Sequence, residues 1–333
     1  MSRIRNDPHR AKLRRERIRR GKAGPPPPSG MKPIPPLTHP FASERSMREI
    51  QALMEGRKFN SADEINARLA ELTEGGRISE MANTWKQDDP KWRAQELAYD
   101  ALETDDIKEA LWLVSEALKL DPDCTDANRL MVALLPVEPG NRVRLMREVV
   151  EKAERNLGKS FFEENTGHFW GTIATRPYMR AKQHLGELLA GAGEREEAAG
   201  IFERMLELNP NDNQGMRYPL VGLYLFANQP AAAASVMARY PDEERIMGSF
   251  AWGRVMERWL SGELVEAEAA LERARKVNPF VEKYILGTRK APDQAPEYYR
   301  RGDETEAQVC AKELGGAWQR HPAFREWLRS RGT

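Results

Sequence analysis

The sequence predicts an all-α fold, an α-solenoid of helix–turn–helix repeats that follows a disordered N-terminal tail. Apolar residues recur every three or four positions from Ser43 onward, as in Met47, Ile50 and Leu53, which is the spacing of one helix face. No run of alternating β-branched residues predicts a strand. Small and large apolar side chains also return at a period of about 34 residues, which is typical of stacked helical hairpins.

The composition favours a soluble protein of the cytoplasm. Of the 333 residues, 40% are hydrophobic and 31% are charged, so the chain can form a core beneath a very polar surface. No apolar stretch approaches the ~18 residues that a membrane span needs, and no apolar segment follows the arginine-rich start as a signal peptide requires. The two cysteines, Cys124 and Cys310, are too few and too far apart for a disulfide framework or a cysteine-based zinc site. We therefore expect no membrane partner, no cofactor and no metal.

Residues 1–40 are expected to form the tail, a basic arm followed by a proline-rich spacer. Residues 1–22 contain ten basic residues against Asp7 and Glu16, and residues 23–40 contain eight of the chain's 22 prolines, a composition that favours an extended, unpacked chain. Such an arm can neutralise phosphates, so contact with RNA or a ribosome is one prediction, and a solubilising arm is the alternative. The nucleic-acid contact would be made by Arg3, Arg5, Arg10, Arg14, Arg15, Arg17, Arg19 and Arg20.

Three segments of the body have the residue pattern of tetratricopeptide repeats, and they end at Pro122, Pro210 and Pro279. Small residues in the pattern let the two helices of a unit approach closely, and large apolar residues fill the gap to the next unit. A weaker middle unit is expected around residues 231–237. The first two segments carry these residues at Leu97, Ala98, Ala101, Ala110, Val114 and Ala117, and at Leu185, Gly186, Leu189, Ala198 and Phe202.

These patterns divide the body into three parts. Residues 41–90 are expected to form helices that cap the stack, residues 91–287 the repeats, and residues 288–333 the C-terminal helices. The interval between Pro122 and Pro210 is too long for two repeats of about 34 residues and too short for three. We therefore expect an insertion near residues 157–176, where aromatic residues and glycines replace the helical pattern.

Several segments resemble a known family. They are FFEENTGHFW, TRPYMRA, LNPNDNQGMRY, NPFVEKYILG and RRGDETEAQVCAKELGGAW, and they are similar to segments of the suppression-of-tumorigenicity-7 family and of related bacterial tetratricopeptide-repeat proteins of unknown function. The resemblance covers roughly residues 90–328 and is most specific at its C-terminal end. It implies a helical-repeat protein without an assigned catalytic activity. The chain differs from the eukaryotic members in lacking transmembrane segments.

Binding is expected on the first helices of the repeats, where certain positions of each unit point into a groove. Aromatic, amide and arginine side chains predominate at these positions, and such residues are enriched in binding surfaces. We expect Arg180 and Arg217 either to hold an anionic group of a partner together or to pair with nearby carboxylates such as Glu187 or Glu163. The predicted partner-binding residues are Trp92, Gln95, Tyr99, Arg180, Gln183, Glu187, Gln214, Arg217 and Tyr224.

Signals for chemistry are few in the sequence. Asn209 to Gly215 imitates a calcium loop, but its glycine is misplaced and the bidentate glutamate is missing. Glu163, Glu164 and His168 could form an acid–base site of a hydrolase, or His168 could tie an inserted loop to the repeat behind it. The sequence therefore predicts a non-enzymatic scaffold or adaptor that binds a partner segment in the groove. The alternatives are an RNA- or ribosome-associated factor and a hydrolase; the partner's identity and the oligomeric state are left unassigned.

Overall fold

The structure, a computed structural model, describes residues 42–54, 59–73, 84, 86–293, 296 and 298–332, and all regular elements of these residues are helical. The expected tail at residues 1–40 lies outside the described residues. The α-helices are α1 (Ala42–Met54), α2 (Ala62–Thr73), α3 (Pro90–Glu103), α4 (Ile107–Leu120), α5 (Thr125–Leu134), α6 (Pro139–Leu157), α7 (Lys159–Asn165), α8 (Arg176–Ala192), α9 (Arg195–Leu208), α10 (Arg217–Phe226), α11 (Pro230–Ala238), α12 (Gly248–Leu260), α13 (Leu264–Val277), α14 (Val281–Ile285), α15 (Glu304–Arg320) and α16 (Pro322–Arg329).

Consecutive helices pack as hairpins, which confirms the all-α repeat fold. The five hairpins are α3–α4, α5–α6, α8–α9, α10–α11 and α12–α13. We call the leading member of each pair its first helix. Among the first helices, α3 packs on α5, α5 on α8, and α10 on α12, so neighbouring units share apolar surface as repeat stacks require.

Small residues set the spacing within a hairpin, as the repeat pattern predicts. Ala98 of α3 and Ala117 of α4 are fully buried. In hairpin α8–α9, a Cβ atom added to Gly186 would lie 2.4 Å from Cε1 of the Phe202 ring. This distance is far below van der Waals contact, so only glycine permits the observed approach of the two helices.

Side-chain caps fix several helix starts. Asp89, Asp106 and Asp303 each accept hydrogen bonds from backbone N–H groups in the first turn of the helix that follows, where such groups otherwise lack partners. At the start of α2, Ser61 Oγ accepts from the N–H of Glu64 at 3.2 Å, and the Glu64 carboxylate accepts from the N–H of Asn60 at 2.7 Å. Ser61 and Glu64 thus form a capping box whose return bond goes to Asn60, one residue before Ser61.

The long interval between Pro122 and Pro210 contains hairpin α5–α6 and then a short, irregular segment. That segment comprises α7 and two 3-10 turns, Phe169–Gly171 and Ile173–Thr175. The Phe169 ring is fully buried, 5.0 Å from the ring of Phe162 and 6.0 Å from that of Tyr178. Pro177 lies in the first turn of α8, where a missing N–H costs nothing.

The two ends of the described chain pack on the repeats. Residues of α1 contact α3 through ion pairs, and α15 packs against α10, α12, α14 and α16. The prediction that the helices before residue 90 cap the stack stays a prediction. None of the described helices combines the length and apolar character needed to cross a membrane.

Replacing Gly186 by alanine is expected to destabilise the protein by about 1–3 kcal/mol, because the new methyl group overlaps the Phe202 ring. Gly191→Ala is the matched control, since Gly191 lies in the same helix and its added Cβ meets nothing within 4 Å. The control should be neutral or more stable by up to about 1 kcal/mol. Urea unfolding measures both, and equal effects of the two substitutions would contradict the close-packing argument.

Candidate functional site

The first helix of hairpin α3–α4 carries three of the predicted binding residues, and α1 covers two of them. Trp92 is 6% exposed and Tyr99 is 1% exposed. The guanidinium of Arg48 lies 3.7 Å from the centroid of the Trp92 ring, and the Tyr99 hydroxyl donates to Glu44 Oε1 at 2.8 Å. Both aromatic side chains therefore bind α1 of the same chain.

Arg180 joins three helices through two buried carboxylates. Its guanidinium donates from Nη1 to Glu44 Oε2 at 2.9 Å and from Nε to Asp126 Oδ1 at 2.9 Å. Gln95, a further predicted binding residue, donates to Asp126 Oδ2 at 2.9 Å. The carboxylates that pair with Arg180 are thus not Glu187 or Glu163, because α1 and α5 bring Glu44 and Asp126 closer.

Asp126 and Arg180 hold each other in their ionised forms. The Asp126 side chain has no exposed surface, and burial opposes its ionisation. The Arg180 guanidinium outweighs this effect and lowers the pKa of Asp126 to about 2. The same two carboxylates overcome desolvation of Arg180 and raise its pKa. Asp126 and Arg180 therefore stay charged at physiological pH.

Arg217 also has carboxylate partners, and they differ from those of Arg180. Its Nη1 donates to Asp212 Oδ2 at 2.9 Å and its Nη2 donates to Glu243 Oε1 at 3.1 Å. Asp212 additionally accepts from the N–H groups of Met216 and Arg217 at the start of α10. In the loop that resembles a calcium site, the Asp212 carboxylate thus binds Arg217 and the start of α10. Arg180 and Arg217 have different carboxylate partners.

The C-terminal helices lie on the first helices of the last two hairpins. A Cβ atom added to Gly222 of α10 would lie 2.0 Å from the carbonyl oxygen of Glu313 in α15, and one added to Gly248 of α12 would lie 2.8 Å from Cys310 Sγ. Ser249 donates to the Glu313 carboxylate. These glycines allow α15 to lie directly against both first helices.

Packing of α15 and α16 also explains why α12, the first helix of the last hairpin, is apolar. Trp252, Val255 and Met256 have no exposed surface, and the ring of Trp259 lies 5.4 Å from that of Phe324 in α16. Trp252, Val255 and Met256 belong to the main hydrophobic core, and Trp259 packs against it. Their burial closes this part of the first-helix face to a partner.

Glu313 is a titratable group of this contact whose pKa is shifted. Burial raises the pKa of its carboxyl to about 7, against the opposing hydrogen bond from Ser249. A second carboxylate, Glu306, accepts from the N–H of Gly248 at 3.0 Å and from Asn278 Nδ2 at 2.8 Å. The contact between α12 and α15 therefore contains two acidic groups with no arginine or lysine bonded to them in the described chain.

A polar strip lies between the part of the first-helix face that α1 covers and the part that α15 covers. We define this strip by Gln183 and Glu187 of α8 and by Gln214. Gln214 Nε2 donates to the carbonyl oxygen of Met179 at 3.2 Å and to Gln183 Oε1 at 2.7 Å. Gln183 Nε2 in turn donates to Glu187 Oε1 at 2.8 Å. Glu187 is exposed, and Gln214 Oε1 has no hydrogen-bond partner in the described chain. Because Gln214 Oε1 is buried, the accessible end of this central strip is the Glu187 carboxylate.

The remaining predicted binding residue does not join the strip. Tyr224 is half-buried, and its hydroxyl donates to Glu203 Oε1 of α9 at 3.0 Å. It thus points towards a second helix. The structure therefore brings Gln183, Glu187 and Gln214 together, places Gln95 and Arg180 in the buried cluster, and puts Trp92, Tyr99, Arg217 and Tyr224 in other contacts.

The residues of the hydrolase alternative do not form an acid–base site. Glu163, Glu164 and His168 are exposed, and Glu163 lies 3.6 Å from Lys159. Within the described chain, neither carboxylate hydrogen-bonds to the imidazole. Nor do three His, Cys, Asp or Glu side chains come together as a metal site anywhere in the residues that the structure describes.

A pocket of about 670 Å³ contains residues that sequence reasoning did not single out. Its walls include Arg195 and Arg320, with the Arg195 guanidinium 4.1 Å from the centroid of the Phe226 ring. His321 Nε2 contacts the carbonyl oxygen of Leu225 at 3.1 Å. The lining comes from the ends of α9, α10, α12 and α15, which are distant in sequence, so no local motif indicates it.

Comparison with protein families matches residues 189–245 to the tetratricopeptide repeat. The matched stretch runs from the end of α8 through hairpin α10–α11. No curated protein matches the sequence. The match and the stacked hairpins support a tetratricopeptide-type repeat protein, a class that typically binds other proteins and typically is not enzymatic. The resemblance to the suppression-of-tumorigenicity-7 family stays a prediction. Contact of residues 1–22 with RNA or a ribosome also stays a prediction, because these residues lie outside the part of the chain that the structure describes.

The raised pKa of Glu313 predicts a pH dependence of stability. The folded state keeps a proton up to pH of about 7, whereas the unfolded carboxyl ionises near 4.5. The free energy of unfolding should therefore fall as pH rises from about 4.5 to 7, by about 3 kcal/mol, and level off above. Urea unfolding of wild type and Glu313→Gln measures this, and the substitution should remove the decline.

Glu326→Gln is the control for that comparison, because Glu326 is an exposed glutamate on the neighbouring helix α16. It should leave the pH profile of wild type unchanged. A Glu313→Gln profile that still declines between pH 4.5 and 7 would contradict the assignment.

Proposed function

We propose that this protein is an interaction scaffold that holds a segment of a partner protein on the central strip of its first-helix face. The observation that carries this proposal is the row of hydrogen bonds from Gln214 through Gln183 to Glu187. The row lies between one part of the face covered by α1 and another covered by α15. It is the part of that face where polar side chains remain available to a ligand.

The strip favours a partner segment that supplies donors. Gln214 Oε1 is buried, so the accessible acceptor of the strip is the exposed Glu187 carboxylate. Backbone N–H groups of an extended segment would donate to this carboxylate, and a lysine or arginine would pair with it.

A scaffold role requires no chemistry at the strip, and the three residues offer none. They are two amides and a carboxylate, with no nucleophile hydrogen-bonded to them in the described chain. Action in the cytoplasm remains part of the proposal.

Site-directed photo-crosslinking in the protein's own cells tests the strip. A photoreactive amino acid at position 187 should capture one discrete protein, and the adduct should survive RNase treatment. The same amino acid at position 196 is the control, since Glu196 is an exposed glutamate on the second helix of the same hairpin. The control should not yield that adduct.

Adding Gln214→Ala to the chain labelled at 187 should lower the yield of the adduct at least fivefold, because the row of hydrogen bonds is broken. Identical adducts from both labelled positions would contradict binding at the strip. Adducts from position 187 that consist of ribosomal proteins and vanish with RNase would instead favour the RNA- or ribosome-associated alternative.

A further inference from the structure

The pocket of about 670 Å³ lies where four turns of the chain meet, and we call it the turn pocket. Its lining comes from the turns between α8 and α9, α10 and α11, α12 and α13, and α15 and α16. Three hairpins and the C-terminal helices thus enclose one cavity. Its volume falls in the range of about 300–1,000 Å³ that is typical of small-molecule sites. The residues of the central strip do not belong to this lining.

The two arginines of the turn pocket have no anionic partner. Most arginines of the described chain pair with a carboxylate. Arg195 and Arg320 make no ion pair and no side-chain hydrogen bond to the residues that the structure describes, and no aspartate or glutamate of that part belongs to the lining. Glu263, at the turn after α12, pairs with Arg258 instead. The pocket therefore has two positive charges that no carboxylate pairs with.

Packing orients one of these cations. The Arg195 guanidinium lies 4.1 Å from the centroid of the half-buried Phe226 ring. A guanidinium held over a ring in this way keeps its N–H donors for an anion, because the ring contacts its face. His321, beside Arg320, is held by its Nε2 contact to the carbonyl oxygen of Leu225 at 3.1 Å. Starts and ends of helices both border the pocket and oppose each other in partial charge, so the arginines determine its sign.

The charge of the pocket favours a phosphate ester. A phosphate monoester carries about 1.5 to 2 negative charges at pH 7, which matches two guanidiniums. A single carboxylate would neutralise one of them only. Arginine also binds phosphate oxygens through paired N–H donors, an arrangement that a lysine cannot reproduce.

The remaining walls favour an aromatic body on that ester. Trp259 and Leu260 are half-buried at the end of α12, and the Trp259 ring is supported by Phe324 at a centroid distance of 5.4 Å. Planar or apolar groups bury such surface favourably. Inorganic phosphate alone would leave these walls in water.

We propose that the turn pocket binds a small organic phosphate, in which a phosphate monoester is attached to an aromatic ring system. Arg195 and Arg320 donate hydrogen bonds to the phosphate oxygens, and the ring system packs against Trp259 and Leu260. The ligand thereby contacts the hairpins and the turn between α15 and α16 together. The site is independent of the proposed function, because it uses other residues than the central strip.

Isothermal titration calorimetry of the full-length protein with 1-naphthyl phosphate tests this site. The probe combines the phosphate with an aromatic body, whereas inorganic phosphate and 1-naphthol each supply one part. Each of these two should bind at least about tenfold more weakly than 1-naphthyl phosphate. Absence of binding, or binding of 1-naphthyl phosphate no tighter than that of inorganic phosphate, would overturn the proposal.

The full-length variant with Arg195→Gln and Arg320→Gln should lose at least about tenfold in affinity for 1-naphthyl phosphate. The matched control combines Arg204→Gln with Arg329→Gln. Arg204 is half-buried on α9 as Arg195 is, Arg329 is exposed as Arg320 is, and neither lines the pocket. The control should bind as wild type does. Equal weakening of both variants would reveal a general charge effect and overturn the proposal.

Hydrogen exchange of the wild-type chain locates the probe without any variant. Saturating 1-naphthyl phosphate should slow exchange of the amides of residues 195–198 and 226–228, because binding stabilises the turns that contact the ligand. The amides of residues 104–106, in the turn of hairpin α3–α4, should be unaffected. Slowing at residues 104–106 alone, or at neither place, would overturn the proposal. These assays leave position 187 unchanged, so the turn pocket can fail while the central strip is upheld.

Discussion

The arrangement of this molecule depends on one buried guanidinium. Arg180 of α8 binds Glu44 of α1 and Asp126 of α5, so a single side chain joins three helices that are not consecutive. Removing either carboxylate would leave a buried cation short of a partner, and breaking a buried pair in this way typically costs several kcal/mol. The cluster therefore fixes where α1 lies. By doing so it determines that Trp92 and Tyr99 face a helix of the same chain.

The opposite end of the first-helix face is closed by packing instead of charge. The glycines at positions 222 and 248 let α15 approach α10 and α12 to distances that no side chain would allow. The covers differ in physical character, because α15 lies against buried apolar residues of α10 and α12, whereas α1 combines ion pairs with contacts to the buried rings of Trp92 and Tyr99. The central strip lies between them.

The repeat fold could be predicted from the sequence because its determinants are local and periodic. Gly186 and Ala98 mark close helix approaches at positions that the period of the pattern specifies. The environment of the site could not be predicted in the same way. Glu44 lies 136 positions from Arg180, and no spacing rule connects an N-terminal helix to the repeat that it binds. Sequence analysis therefore placed Trp92, Tyr99 and Arg180 on the correct helices and gave them accessible surroundings, whereas the structure buries all three.

A double-mutant cycle on Glu44 and Arg180 tests the central claim most directly. The free energy of unfolding is measured by urea for wild type, Glu44→Gln, Arg180→Met and the double variant. Because each single change leaves the other charge buried, the account predicts that the double variant is more stable than the sum of the single effects by about 2 kcal/mol or more. Additive effects, within about 0.5 kcal/mol, would show that the two residues are not coupled and would contradict the role given to this cluster.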